Sequence, residues 1–176
     1  MNANILAQNI VNALQFGSFY ALISLGYSMV YSILMLFNFA HGDIFMTGTY
    51  VAFGIATLLL GLSASGAIAL PAFLILGLTV LLATVLTACL GMLVERVGYR
   101  PLRDAPRASA AITGLMIGII LETGVLAIAG GQKLKFPPLI DTVYFKVGPL
   151  FLTNIKVIIV AVSVVLMLAL HQFVKR

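Results

Sequence analysis

A single charged side chain, Asp43, lies between Met1 and Val94. A soluble domain needs a polar surface, and charged residues make up about 25% of an ordinary soluble domain. Here they make up 9% of the 176 residues, whereas 62% are hydrophobic. Because a membrane-spanning helix takes about 20 consecutive apolar residues, this stretch alone is long enough for three. The sequence therefore predicts an integral membrane protein.

Five apolar segments follow one another along the chain, and each is long enough to form a membrane helix. They lie at about 9–37, 44–62, 67–94, 108–130 and 154–173. The predicted fold class is all-α: a polytopic transmembrane helix bundle with about five membrane segments and a break at residues 38–43. We expect residues 1–176 to form a single transmembrane domain.

The positive residues predict the orientation of these segments. Residues 95–107, ERVGYRPLRDAPR, contain four arginines, which places this loop in the cytoplasm by the positive-inside rule. The chain end at Arg176 is then cytoplasmic, residues 131–153 face outward, and the N-terminus lies outside. If the second segment re-enters instead of crossing, the N-terminus lies inside. The net charge of +5 is interpreted as this topology signal and not as nucleic-acid binding.

Small residues recur every fourth position on two of the segments, which places them on one face of each helix. The two stripes are Ala13, Gly17 and Ala21 on the first segment, and Ala110, Gly114 and Gly118 on the fourth. Such stripes let helix backbones approach closely, because lipid provides no hydrophobic drive for helix association. They are the predicted packing faces, with chance in an Ala- and Gly-rich chain as the alternative.

The sequence NFAHGD, residues 38–43, places an amide, an imidazole and a carboxylate between two apolar segments. The candidate path residues here are Asn38, His41, Gly42 and Asp43. Non-helical backbone in a membrane is tolerated when it is buried in protein or lines a wet cavity, and discontinuous helices often form transporter substrate sites. The alternative is a short interfacial turn in which Asp43 caps the next helix.

Glu122 is the second candidate, because it lies well inside the fourth apolar segment. A carboxylate there is costly and is expected to face the bundle interior or a water-filled path. Glu122 also continues the stripe of Gly114 and Gly118 at the same spacing. The alternative is a structural hydrogen bond between helices, with the carboxyl protonated.

The arginine-rich loop is the third candidate site, through Tyr99, Arg100, Pro101 and Arg103. Two prolines stiffen the loop, and its charge exceeds what orientation requires. We expect it to dock a cytoplasmic partner or to contact anionic lipid. The alternative is a positive-inside loop with no further role.

No catalytic residue and no metal site are predicted. The sequence contains no H-E-x-x-H, no G-x-S-x-G and no second cysteine beside Cys89, and a phosphate-binding G-x-x-x-x-G-K-[ST] is also absent. We therefore expect that this chain is not an enzyme. An intramembrane enzyme that uses His41 and Asp43 is the alternative, although residues two apart do not face each other on a helix.

The runs LGYSMVYSILMLFNFAHGDIFMTGTYVAF (25–53) and ERVGYRPLRDAPRASAAITGLMIGIILE (95–122) resemble the LivH-type permease subunits of bacterial branched-chain amino acid ABC importers. The resemblance covers essentially the whole chain. It implies a subunit that moves branched-chain, hydrophobic amino acids across the inner membrane; related permeases carry urea or short amides. It also implies that the NFAHGD residues lie near the path and that the YRPLR residues form a cytoplasmic loop. Glu122 falls where relatives often carry Gln or Glu.

The same resemblance implies a multi-subunit assembly in the lipid bilayer. The implied partners are a second homologous permease subunit, two ATP-binding subunits and a periplasmic substrate-binding protein, so ATP is a cofactor of partners and this chain has none of its own. Family members are longer, and this sequence ends at Arg176, where their ATPase-coupling loop begins. We therefore expect the N-terminal part of a longer permease, unable to transport alone. A truncated, transport-incompetent scaffold is the alternative.

Overall fold

Five long helices form most of the fold. The computed structural model describes residues 3–35, 37–68, 70–148 and 150–175. The sequence predicts on which side of the membrane Met1 and Arg176 lie, and both residues are outside these ranges. The helices are α1 (Ala3–Leu34), α2 (His41–Ala64), α3 (Ala72–Val94), α4 (Arg107–Ala129) and α5 (Asn154–Lys175). All five are long and apolar enough to cross a membrane, which confirms the predicted fold class.

The helices carry large apolar side chains on their exposed sides as well as on their packed sides. Ile128 is 91% exposed and Phe173 is 75% exposed. In water such a surface would drive aggregation, whereas a helix that is apolar all round is typical of a membrane span. The exposed surface therefore suits lipid contact.

Several helix boundaries differ from the sequence prediction, and α1 begins at Ala3 and not near residue 9. The break between the first two helices lies between Leu34 and His41, so residues 41–43 form the first turn of α2. α3 begins at Ala72 and not near residue 67, because Gly66 adopts a left-handed φ of 74° after the end of α2. Pro71 then precedes α3 in an extended conformation, a position where its missing N–H costs no helical hydrogen bond.

The arginine-rich segment is more helical than a loop. α3 continues into a π-helical turn, Glu95–Tyr99, and then into a 3-10 turn, Arg100–Leu102. Pro101 has no N–H to donate, so an α-helical hydrogen-bond pattern does not continue through it. Only residues 103–106 connect these turns to α4 in non-helical form.

The chain divides into two compact units by its internal contacts. The terminal unit is Met1–Ile33 together with Ile140–Arg176, and the central unit is Leu34–Leu139. The single transmembrane domain stays a prediction.

The central unit packs α2, α3 and α4 around two small apolar clusters. One cluster contains Ala56, Ile75 and Leu139, and the other contains Val94, Tyr99 and Ala110. α2 and α3 also approach closely at Gly48, where a Cβ atom would lie 2.7 Å from Thr87 Oγ1. The second cluster places α4 beside the turns that follow α3.

The terminal unit contains α1, α5 and a short antiparallel hairpin, which the sequence did not predict. Its strands are β1 (Tyr144–Val147) and β2 (Leu150–Thr153). Asn154 holds the base of the hairpin, since its Nδ2 donates to the Asp141 carbonyl at 2.7 Å and its Oδ1 accepts from Val143 N–H at 3.1 Å. Lys146 lies over the Phe151 ring, 5.3 Å from its centroid.

The two predicted small-residue stripes have different outcomes. On α4, Ala110 is 1% exposed, and Gly114 and Gly118 are also buried, as predicted. On α1, Ala13 and Gly17 are exposed and Ala21 is half-buried, and a Cβ atom on Gly17 would meet nothing within 4 Å. Only the α4 stripe is a packing face among the described residues.

Candidate functional site

The break between α1 and α2 is a tight turn that leads directly into α2. His41 N–H donates to the Asn38 carbonyl at 3.1 Å, and Ile44 N–H donates to the Ala40 carbonyl at 2.9 Å. Ala40 is fully buried. The chain also turns through Met35, which has a left-handed φ of 53°. The break is therefore an ordered interruption with internal hydrogen bonds.

Tyr99 connects the π-helical turn to this break. Its hydroxyl donates to Asn38 Oδ1 at 2.8 Å, and the side chain is only 4% exposed. A π-helical turn adds a residue to the helix and changes the direction of the side chains that follow it; such turns are frequent at functional sites. Tyr99 was predicted with the exposed docking loop, but the structure places it inside, against the break.

Two glycines of α4 bring that helix into direct contact with the break. A Cβ atom on Gly114 would collide with Tyr99 Oη and lie 3.2 Å from the Phe39 backbone nitrogen. A Cβ atom on Gly118 would collide with Asp43 Oδ2. A larger residue at Gly114 would press on the Phe39 backbone as well as on Tyr99, so the close approach favours glycine there, whereas at Gly118 the Asp43 side chain would have to turn aside.

Asp43 occupies the first turn of α2, where a carboxylate interacts favourably with the positive end of the helix dipole. It is not the N-cap, which is Ala40 without a side-chain hydrogen bond. The Asp43 carboxylate is half-buried and lies against Gly118. His41 is also half-buried in the same turn, and Gly42 is exposed with open space beside its Cα.

Glu122 lies four residues beyond Gly118 on the same stripe of α4, a rise of about 6 Å. In contrast to Gly114 and Gly118, it is exposed. No hydrogen bond or ion pair joins it to another side chain within the described ranges. The stripe therefore carries the Asp43 contact and the Glu122 carboxylate on successive turns.

The arginines of the predicted docking loop remain at the surface. Arg100, Pro101 and Arg103 are exposed. Arg103 forms an ion pair with Glu95, with 2.8 Å between Nη2 and Oε1, and such exposed pairs contribute only about 0–1 kcal/mol. The surface keeps a positive charge, and docking stays a prediction.

A profile of the family described as the branched-chain amino acid transport system, permease component, matches residues 9–176. The chain belongs to this family. The resemblance predicted from residues 25–53 and 95–122 is thereby confirmed. Together with the five helices, membership in this permease family makes the chain a multi-pass membrane protein.

Individual relatives in this permease family are about one-third identical to the chain. The high-affinity branched-chain amino acid transport system permease protein BraD of Pseudomonas aeruginosa is 33% identical, and the alignment covers 96% of this chain and 55% of BraD. LivH of Salmonella typhimurium is 33% identical and LivH of Escherichia coli K12 is 34% identical, with 54% of each covered. The chain thus spans about half the length of these relatives. No solved structure matches it.

Sequence reasoning missed a polar cluster in the terminal unit. Lys156 Nζ donates to Asn12 Oδ1 at 2.7 Å, and Gln8 Nε2 donates to the same oxygen at 3.3 Å. The signal was available in the sequence, because Lys156 is the only Lys or Arg between Lys146 and Lys175 and lies inside a membrane-length apolar run.

The close approach of α4 to the break predicts a specific sensitivity at Gly114. Gly114→Ala places a methyl group against Tyr99 Oη, and overpacking of this kind costs about 1–3 kcal/mol. The matched control is Gly124→Ala, since a Cβ at Gly124 on the same helix would meet nothing within 4 Å. SDS titration of the detergent-solubilised chain, followed by circular dichroism, should show earlier unfolding for Gly114→Ala alone. Equal unfolding of the two variants would contradict the described contact.

Proposed function

We propose that this chain is a permease subunit of an ABC importer that moves branched-chain, hydrophobic amino acids across the bacterial inner membrane. Membership in the permease family supports the proposal, as do the printed functions of BraD and LivH. The chain performs no covalent chemistry in this proposal. It guides a solute across the bilayer, and partner subunits hydrolyse ATP.

The structural observation that carries the proposal is the buried non-helical turn before α2, which packs against the α4 stripe. Non-helical backbone in a membrane is tolerated when it is buried in protein or lines a wet cavity, and such segments often form transporter substrate sites. Here the interruption is held by Tyr99 and by the glycine contacts of α4. A rigid break of this kind supports a solute path better than a loose surface turn does.

The path residues have distinct proposed roles. Asn38 is a positioning residue, because its side-chain oxygen is already bound by Tyr99. Asp43 and His41 line the first turn of α2, and Gly42 leaves space for the solute there. Glu122 provides a carboxylate on the next turn of the α4 stripe.

Glu122 places a carboxylate far along the membrane-length helix α4. It lies fifteen residues after Arg107, or about 22 Å along the helix axis at 1.5 Å per residue. A carboxylate at that depth is costly in lipid and faces protein or water. Because Glu122 is exposed in this chain, we propose that the assembled permease supplies the surface or the aqueous path that it faces.

The proposed assembly contains a second homologous permease subunit, two ATP-binding subunits and a periplasmic substrate-binding protein. In the proposed orientation, residues 95–107 are cytoplasmic, whereas the β1–β2 hairpin and the N-terminus lie on the periplasmic side. The exposed Arg100, Pro101 and Arg103 then face the ATP-binding subunits. The positive charge of this segment supports that orientation.

Uptake by cells tests the function directly. We expect cells without their own branched-chain uptake to accumulate labelled leucine, isoleucine and valine when they express this chain with its proposed partners. Omission of this chain should return uptake to background. Accumulation of urea or short amides instead would show that the chain carries these compounds and not branched-chain amino acids. An assembled complex that accumulates no solute would favour the alternative of a truncated, transport-incompetent scaffold.

The path role of Glu122 predicts a loss of transport without a loss of assembly. Glu122→Leu, which removes the polar group, should lower leucine uptake in the assembled importer by about tenfold or more, because hydrogen bonds to charged groups are worth about 1.5–3 kcal/mol. The control is Asp141→Asn, which removes one negative charge from an exposed residue. Unchanged uptake with intact assembly would refute the path role. Loss of the complex would indicate that Glu122 forms a structural hydrogen bond between helices.

Docking of the arginine-rich segment predicts a position-specific crosslink. A photoreactive phenylalanine analogue at Arg103 should crosslink to an ATP-binding subunit, because this exposed side chain faces the cytoplasm in the proposed orientation. The same analogue at Tyr144, which is 78% exposed in the hairpin, should give no such product. Absence of the Arg103 crosslink in an intact complex would leave the arginines with a topological role alone.

A further inference from the structure

Lys156 is a cation without an acidic partner in the described part of the chain. It lies in the first turn of α5 and is half-buried. All five acidic residues of the sequence fall within the described ranges, and the ion pair among them joins Glu95 to Arg103. The dipole of α5 does not offset the charge of Lys156, since cations are favourable at the opposite helix end.

The position of Lys156 is fixed by neutral groups. Its Nζ donates to Asn12 Oδ1, and Gln8 donates to the same oxygen. Gln8 is in turn held by the Phe151 backbone, whose N–H donates to Gln8 Oε1 at 2.8 Å and whose carbonyl accepts from Gln8 Nε2 at 3.1 Å. An ammonium group has three donors, so this arrangement orients the cation and leaves it able to bind an anion.

An apolar groove includes this cation in its lining. It has a volume of about 350 Å³ and lies between α1 and α5 within the terminal unit. Its walls include Val11, Leu14, Val157, Val160 and Ala161, with Lys156 among the lining residues. Leu14 is 59% exposed and Val157 is 49% exposed, so the groove is open, and both helices have membrane-spanning length.

We propose that this groove binds an anionic phospholipid, with the phosphate on the Lys156 ammonium and one acyl chain along the apolar walls. An apolar groove with one cation in its lining matches a molecule with an apolar tail and an anionic head. A lysine near the end of a membrane span lies at headgroup depth. The amino-acid substrate of the proposed function fits less well, because its ammonium group needs an acidic partner and no acidic side chain lines the groove.

Native mass spectrometry of the detergent-solubilised chain tests the proposal. The probes are phosphatidylglycerol and phosphatidylcholine with identical acyl chains. We expect the chain to retain phosphatidylglycerol about fivefold more strongly, the effect of one lysine at an anionic lipid surface. Lys156→Gln should abolish this preference and Lys156→Arg should keep it. The control is Lys146→Gln, which removes the same charge from an exposed residue of the hairpin.

A substitution in the groove wall tests whether the acyl chain lies there. Ala161→Phe should fill the groove and reduce the retention of both lipids, whereas Ala127→Phe on the exposed surface of α4 should not. Circular dichroism identifies any variant that fails to fold, and Lys156→Arg tests the charge independently of Lys156→Gln.

Three results would overturn the proposal. Equal loss of preference in Lys156→Gln and Lys146→Gln would show diffuse charge attraction. Unchanged retention in folded Ala161→Phe would show that the acyl chain lies elsewhere. Retention by the chain alone that disappears in the assembled importer would show that a protein segment occupies the groove.

Discussion

The central unit depends on the burial of a non-helical turn, the break before α2, in protein. Backbone N–H and C=O groups that leave a helix need other partners, and lipid supplies none. The described residues of the break meet this requirement through hydrogen bonds within the turn and through the Tyr99–Asn38 bond. The glycines of α4 then allow a helix backbone to cover the turn. The π-helical turn, the α4 stripe and the start of α2 all serve this one arrangement.

Much of this fold could be predicted because membrane helices leave strong local signals. Hydropathy located the five helices to within a few residues at most ends, and four-residue spacing identified the α4 stripe. The buried position of the Tyr99 side chain could not be predicted. Its hydroxyl binds Asn38, 61 positions away, and the arginines next to it in the sequence are typical of an exposed segment. The hairpin was missed for a different reason: its strands have four residues each, too few for a clear alternation of polar and apolar side chains.

Two stripes of small residues with the same spacing are packed to different extents in this chain. Ala13 and Gly17 on α1 have the same spacing as Gly114 and Gly118 on α4, yet only the α4 residues are covered. Small residues permit a close approach, but a partner has to be present at the same depth. On α4 that partner is the break itself. Beyond Gly118 the described residues no longer bury the stripe, and Glu122 on its next turn is exposed.

The pairing of Gln8 with the backbone of Phe151 has a consequence for biogenesis. The two residues are separated by 143 positions. A ribosome that adds about 5–20 residues per second needs on the order of 10 s to make that intervening chain. During that interval α1 is already synthesised, and Gln8 can bind Asn12, while the Phe151 backbone and the Lys156 ammonium that these amides also bind are still missing. Closure of the terminal unit therefore cannot precede the synthesis of the hairpin and of the start of α5.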